Sequence, residues 1–280
     1  MPRKKRVLAS YGIKLLALFC VIFTVAGMLV GCGSQAKEHA TEEKTLPAIV
    51  VGCDDYTPFS YVDADGKMTG IDVELAEEAF RRMGYRAECT IINWEEKKAL
   101  LEDGAIDCIW SSFSMDGREK DYRWAGPYMK SQQVVAVNMD SEITKLQDLK
   151  DKVIAVQSTT KPEEIIKRHD GTVPELQEVI SVQKRDLIFL LLSKGYVDAI
   201  AAHDTAIEEF MAETGLKFRI LEEPLQTVGL GVAFDNNDSR KLNDRLNEVL
   251  REMYADGTTE QIIGRYFPDT DRYLGGLYED

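Results

Sequence analysis

Strand and helix patterns alternate along nearly the whole chain after residue 47, and this alternation limits the possible fold more than any other feature. Short apolar runs typical of strands, such as Ala48–Cys53 and Val153–Val156, precede stretches with apolar residues at helical spacing, such as Ile71–Met83. A strand, a helix and a second strand in this order place the two strands parallel to each other. The sequence therefore predicts an α/β fold in which mostly parallel sheets are flanked by helices.

The alternating units fall into two sets, which extended segments near residues 132–138 and 226–232 connect. We expect a two-lobed clamshell with these two crossover strands as its hinge. Residues 47–133 would form the first part of lobe I, residues 134–228 lobe II, and residues 229–280 the return to lobe I with the C-terminal helices. Ligands bind such sheets outside the carboxyl ends of the strands, so candidate site residues are sought there.

The N-terminus has the pattern of an export signal. Basic residues at positions 3–6 are followed by an apolar run over residues 15–30 and then by Gly31-Cys32. The segment Leu29–Cys32 resembles the bacterial lipobox, which implies that residues 1–31 are a signal peptide and that Cys32 carries the acyl chains of a membrane anchor. Residues 32–46 are polar and predict a flexible tether. The alternative is a retained signal-anchor helix with an unmodified Cys32.

Composition excludes some classes of function. Removing residues 1–31 removes five basic residues and no acidic ones, which changes the formal net charge from −14 to −19. Such acidity argues against nucleic acid as a partner.

No metal-ligand spacing occurs among His and Cys, so we expect neither metal nor cofactor. Buried free thiols are favoured for Cys53, Cys89 and Cys108, with one disulfide plus a spare as the alternative. Trp110 should point into the core, because it precedes Ser111 on a strand.

Five motifs occur in an order that resembles a known family. They are Gly70-Ile-Asp-Val-Glu-Leu75, Ser114-Met-Asp-Gly-Arg118, Trp124-Ala-Gly-Pro-Tyr128, Gly195-Tyr-Val-Asp-Ala199 and Asp256-Gly-Thr258. Together they resemble the bacterial extracellular solute-binding proteins of family 3, the polar amino-acid receptors of ABC importers. The resemblance implies the type II periplasmic-binding-protein fold and a membrane permease as partner.

The resemblance also implies a set of ligand-binding residues in lobe I. Arg118 would bind the ligand α-carboxylate, since a guanidinium suits a carboxylate bidentately. Asp54 would contact the ligand side chain, with Asp55 as an alternative. The remaining candidates are small polar or aromatic residues at strand ends, namely Tyr56, Trp94, Ser111, Ser112 and Ser114.

Lobe II would supply the ammonium contact and a second carboxylate contact. By the resemblance, Asp204 receives the ligand α-amino group, with His203 as an alternative for that position and helix N-capping as another role for Asp204. Gln157, Thr159 and Thr160 follow a predicted strand and precede a helix, where backbone N–H groups and hydroxyls can bind an anion.

The sequence therefore predicts a monomeric binding protein, not an enzyme, that is lipid-anchored on the extracytoplasmic face of the membrane and captures a polar or cationic amino acid for an ABC permease. Two alternatives remain open. The first is an enzyme on the same fold, similar to a cyclohexadienyl dehydratase, with Glu95, Glu96 or Glu223 as a possible acid. The second is a sensor that presents its closed form to a membrane signalling protein.

Overall fold

The computed structural model describes residues 46–278. The predicted signal peptide, Cys32 and nearly all of the predicted tether lie outside the described residues. Within the described part, none of the helices has the length and apolar character needed to cross a membrane. The strands are β1 (Ala48–Cys53), β2 (Tyr61–Val62), β3 (Met68–Thr69), β4 (Arg86–Ile91), β5 (Cys108–Ser114), β6 (Arg123–Asn138), β7 (Val153–Gln157), β8 (Glu178–Val182), β9 (Ala199–His203), β10 (Phe218–Ile220) and β11 (Gln226–Phe234).

The helices are amphipathic or short and connect these strands. They are α1 (Ile71–Arg82), α2 (Lys97–Glu102), α3 (Lys161–Lys167), α4 (Arg185–Ser193), α5 (Asp204–Thr214), α6 (Leu242–Ala255), α7 (Thr258–Ile263) and α8 (Asp271–Leu274), with 3-10 turns at Trp94–Glu96 and Leu146–Leu149. Gly70 precedes α1 with φ 119°. A Cβ at Gly70 would lie 2.5 Å from the carbonyl oxygen of Phe59. The close approach and the positive φ explain why the motif around α1 begins with glycine.

One mixed sheet runs through the described chain in the order β4-β1-β5-β11-β6-β9-β7-β8, and β10 pairs with β6. β1 is parallel to β4 and β5, and β7 is parallel to β8 and β9. We call β1, β4 and β5 with α1 and α2 the first half, and β7, β8 and β9 with α3, α4 and α5 the second half. The α/β class and the parallel pairing predicted from the alternation are confirmed.

β6 and β11 connect the two halves. They pair antiparallel from Gln226 opposite Gln133 to Phe234 opposite Arg123, and β6 continues along β9 up to Val137. β6 begins at Arg123, well before the predicted crossing near residues 132–138, because its early part pairs with β11. The pairing with β11 is irregular at the segment Gly126-Pro127, and an irregularity accommodates a proline that has no N–H to donate. The lobe boundaries themselves stay a prediction.

The core of the first half surrounds Trp110. Its side chain is fully buried and makes an edge contact with Phe80, with ring centroids 6.1 Å apart, and a tilted contact with Tyr128 at 5.6 Å. The predicted orientation of Trp110 is confirmed. Cys53 and Cys108 are buried and Cys89 is half-buried, and all three are free thiols.

Candidate functional site

A cleft lies between the two halves, at the carboxyl ends of their strands. The space within it, including open solvent at its mouth, is about 440 Å³. Both halves contribute to its lining, which consists of Trp94, Ser111, Ser112, Phe113, Ser114, Arg118, Gln157, Thr159, Thr160, Lys161, Pro162, Arg185, Ile188, Ala201, Ala202 and His203. Its position agrees with the rule that α/β sheets bind ligands outside the carboxyl ends of their strands.

The structure brings together most of the residues predicted from the sequence. Eight of them line the cleft, namely Trp94, Ser111, Ser112, Ser114, Arg118, Gln157, Thr159 and Thr160. Asp54, Tyr56 and Asp204 are not part of this lining; they lie buried beside it. Cys32 is outside the described residues.

Arg118 lies in the turn after β5, and protein contacts fix its orientation. Its Nη1 donates to the Ser114 carbonyl at 3.2 Å, and its Nε is 3.2 Å from the Glu164 carboxylate on α3. The guanidinium lies 5.0 Å from the Phe113 ring centroid. Burial lowers the pKa of Arg118, and the charge of Glu164 opposes this. Nη2 makes no hydrogen bond to any described residue, so it can donate to a carboxylate in the cleft.

Ser112 has an unusual backbone conformation, with φ 47°. Its N–H donates to the Asp72 carboxylate at 2.6 Å, and the Tyr128 hydroxyl donates to the same carboxylate at 2.7 Å. Burial raises the pKa of Asp72 to about 7, although both hydrogen bonds oppose this. The Ser112 hydroxyl is buried without a partner among the described residues. A strained backbone beside an unpartnered hydroxyl is typical of a ligand-binding position.

Ser111 and Ser114 have hydrogen bonds within the protein. The Ser111 hydroxyl accepts from the Asp54 N–H at 3.0 Å and lies 2.9 Å from the Ser60 hydroxyl. The Ser114 hydroxyl accepts from the Gln133 side-chain amide at 3.3 Å. These bonds fix the end of β5, so both serines shape the cleft even without contacting a ligand.

Asp54 and Tyr56 hold a residue that the sequence reasoning missed. The Asp54 carboxylate accepts from Arg185 Nη2 at 2.7 Å and from the Gln157 amide at 3.0 Å. The Arg185 guanidinium lies over the Tyr56 ring, 3.7 Å from its centroid. The Tyr56 hydroxyl lies 2.8 Å from that of Thr205. Arg185 begins α4 directly after β8, so the strand-end rule could have identified it.

Asp204 is engaged by a residue near the C-terminus. Its carboxylate lies 2.5 Å from Arg272 Nη2, accepts from the Ser131 hydroxyl at 3.1 Å, and accepts from the Thr205 N–H at 2.9 Å. The residue that lines the cleft here is the alternative, His203. Burial and the charges of Arg185 and Arg118 lower the pKa of His203 to about 3, so its imidazole is neutral at pH 7.

The predicted anion site at the start of α3 is partly occupied by the protein itself. The Thr159 N–H donates to the Glu163 carboxylate at 2.6 Å, and the Thr160 hydroxyl donates to the Gln157 carbonyl at 2.6 Å. Lys97 of the first half donates to the Thr159 hydroxyl at 2.8 Å, and burial lowers its pKa to about 7. This segment therefore joins the halves at the edge of the cleft.

The cleft lining contains polar atoms that the protein leaves unpaired. Trp94 Nε1, Ser112 Oγ, Gln157 Oε1 and Arg185 Nη1 are buried and have no hydrogen-bond partner among the described residues. Buried polar atoms are normally paired, and each exception requires an explanation. A small polar ligand in the cleft would supply the missing partners.

Comparison with known proteins identifies the family. Residues 49–269 match the model of the bacterial extracellular solute-binding proteins, family 3, and the chain belongs to this family. The resemblance inferred from the five motifs is thereby confirmed.

Relatives and solved structures agree with this assignment. The chain is 31% identical to a putative amino-acid ABC transporter-binding protein, PatH of Vibrio harveyi, over 76% of this chain and 85% of that protein. It is 29% identical to a probable histidine-binding protein of Campylobacter jejuni, over 90% and 98% of the two chains. The crystal structure of a substrate-binding protein of an amino acid ABC transporter is also similar, with a TM-score of 0.71 and 27% identity over 79% of this chain and all of that one. The fold is that of the type II periplasmic binding proteins.

Proposed function

We propose that this protein captures an amino acid in the cleft between its two halves and delivers it to an ABC permease. The observation that carries the proposal is Arg118, which is held in the cleft wall with one guanidinium nitrogen available to a carboxylate. The names of the relatives support this function, because they describe amino-acid-binding and histidine-binding proteins rather than enzymes.

Capture would use a hinge motion of the two lobes, 47–133 with 229–280 and 134–228. β6 and β11 connect the halves, while contacts such as Asp54 to Arg185 and Arg118 to Glu164 join them around the cleft. A ligand that contacts both halves stabilises the closed arrangement over the open one, because its contacts are complete only there. The permease would then distinguish the closed protein from the open one.

Attachment through Cys32 would keep the protein on the extracytoplasmic face of the membrane, where a monomer on its tether can reach the permease. Two or more acyl chains are enough for stable anchoring. Cells fed labelled palmitate should label the wild-type protein and leave Cys32→Ser unlabelled, with the variant released from the membrane fraction. Equal membrane retention of an unlabelled wild type would contradict the anchor and support a retained signal helix.

A thermal-shift screen against the standard amino acids tests the capture proposal. A ligand at 100 times its dissociation constant should stabilise the protein by about 2.7 kcal/mol, because it binds only the folded state. We expect a clear rise in melting temperature with at least one amino acid. No shift with any of them at millimolar concentration would contradict the proposed function.

A further inference from the structure

The charged residues of the cleft wall do not balance. Arg118, Lys161 and Arg185 line the cleft, and no Asp or Glu of the described chain does so. Two carboxylates lie against these three bases: Glu164 bridges Arg118 and Lys161, at 3.2 Å and 2.6 Å, and Asp54 pairs with Arg185. Among these lining residues and their direct ion-pair partners, three positive charges face two negative charges.

Other carboxylates near the cleft are held by the protein. Asp72 accepts from two neutral donors, the Ser112 N–H and the Tyr128 hydroxyl, and Glu95 accepts from Ser158 and Gln183. Asp204 is bound to Arg272, and Glu163 is bound to Lys167 at 2.6 Å.

His203 also lines the cleft, but its neutral imidazole supplies no negative charge. The α-ammonium of an amino acid can use the unpaired acceptor Gln157 Oε1. A second positive charge, on a cationic side chain, would find no carboxylate in the wall, and burying an unpaired charge is strongly unfavourable.

Arg185 occupies the place where a cationic ligand side chain would be expected. Asp54 and Tyr56 are two of the residues that the family resemblance assigned to the ligand. In this structure they bind the chain's own guanidinium, by a 2.7 Å ion pair and by stacking at 3.7 Å. Arg185 therefore neutralises the charge of Asp54. The Nη1 of Arg185 has no partner among the described residues and can donate a hydrogen bond into the cleft.

The unpaired atoms of the lining are mostly donors. Trp94 Nε1 and Arg185 Nη1 can only donate, the Ser112 hydroxyl can do so, and Gln157 Oε1 is the acceptor. Oxyanions are the groups that use several donors at once, and hydrogen bonds to a charged oxygen are about twice as strong as neutral ones.

We infer that the cleft selects a small ligand with two carboxylate groups, of which an acidic amino acid is the leading member. One carboxylate would bind Arg118, and the second would lie near Arg185. This inference rests on the proposed function and specifies its ligand class. A net charge of −1 on the ligand offsets the excess positive charge among the lining residues and their ion-pair partners.

Calorimetric titration of the wild-type protein with glutamate, glutamine and lysine tests the inference, because glutamate and glutamine have nearly the same shape. We expect glutamate or aspartate to bind at least ten times more tightly than glutamine, and lysine to bind most weakly. Glutamine, lysine or histidine binding as tightly as the acidic amino acids would overturn the inference and leave amino-acid capture intact.

The variant Arg185→Met tests whether Arg185 causes the preference for acidic ligands, since the substitution leaves the Asp54 carboxylate without its ion-pair partner. We expect glutamate binding to weaken at least tenfold and lysine binding to strengthen, whereas Arg123→Met, an exposed arginine outside the cleft, should match the wild type. An unchanged order of ligands in Arg185→Met would overturn the role of Arg185. Binding of glutarate without any amino acid would support the two-carboxylate inference and overturn the proposed function, and no binding of any of these compounds would overturn both.

Discussion

Replacing Arg118 with alanine is expected to weaken ligand binding at least about 30-fold, the largest loss from any single change in the cleft. Truncating one partner of a buried, hydrogen-bonded charge pair costs about 2–5 kcal/mol, and each 1.4 kcal/mol is a factor of ten. Arg118 is oriented by Ser114 and Glu164 before any ligand arrives. Calorimetry with the amino acid that gives the largest thermal shift measures the loss.

Two further variants show whether the loss comes from the ligand contact. Arg118→Lys keeps a positive charge and loses the planar fork, so we expect intermediate affinity. Arg123→Ala removes an exposed arginine that binds the Asp238 carbonyl, so it should leave binding unchanged. Wild-type affinity in Arg118→Ala would show that the ligand carboxylate binds elsewhere.

Replacing His203 with glutamine is expected to remove a large part of the acid sensitivity of the ligand-free protein. The unfolded chain takes up a proton on His203 below about its ordinary pKa of 6.5, whereas the folded chain does so only near pH 3. Folding therefore excludes a proton between these values, and wild-type stability falls as the pH falls through this window. Between pH 7 and about pH 4 the wild type should lose about 3 kcal/mol more free energy of unfolding than the variant.

Urea unfolding at the two pH values, without ligand, measures this difference. His169→Gln serves as the matched control, since His169 is exposed, and it should keep the wild-type pH dependence. If His203→Gln and the wild type lose equal stability on acidification, His203 is protonated in the folded protein as readily as in the unfolded chain. The conclusion that its buried imidazole stays neutral would then be wrong.

Local patterns predicted most of the fold. β1 and the start of α1 agree with the predicted bounds, because apolar residues recur there at strand or helix spacing. The prediction failed where pairing rather than periodicity decides the structure. β10 and the early part of β6 are strands because they pair with neighbours far along the chain, β10 with β6 and β6 with β11. No window of sequence contains that information.

For the candidate site, too, the sequence predicted local features but not the contacts between distant residues. The strand-end rule and the family resemblance together identified Arg118 and seven further residues that line one cleft, although they lie up to dozens of residues apart. They could not foresee that Arg272 would reach Asp204 or that Arg185 would reach Asp54. Each arginine is distant in sequence from its aspartate, and opposite charge alone does not tell which residues pair. The sequence therefore located the cleft, and the structure was needed for its charge.

A crystal structure of the protein with the amino acid that stabilises it most would show whether the cleft between the two halves binds the ligand. We expect the ligand between the two halves, with its α-carboxylate bound to Arg118 Nη2 and to the Ser112 hydroxyl. Residues from both halves should contact it, including Gln157 or His203 from the second half. A ligand bound outside this cleft, or bound with Arg118 contacting only Ser114 and Glu164, would contradict the account.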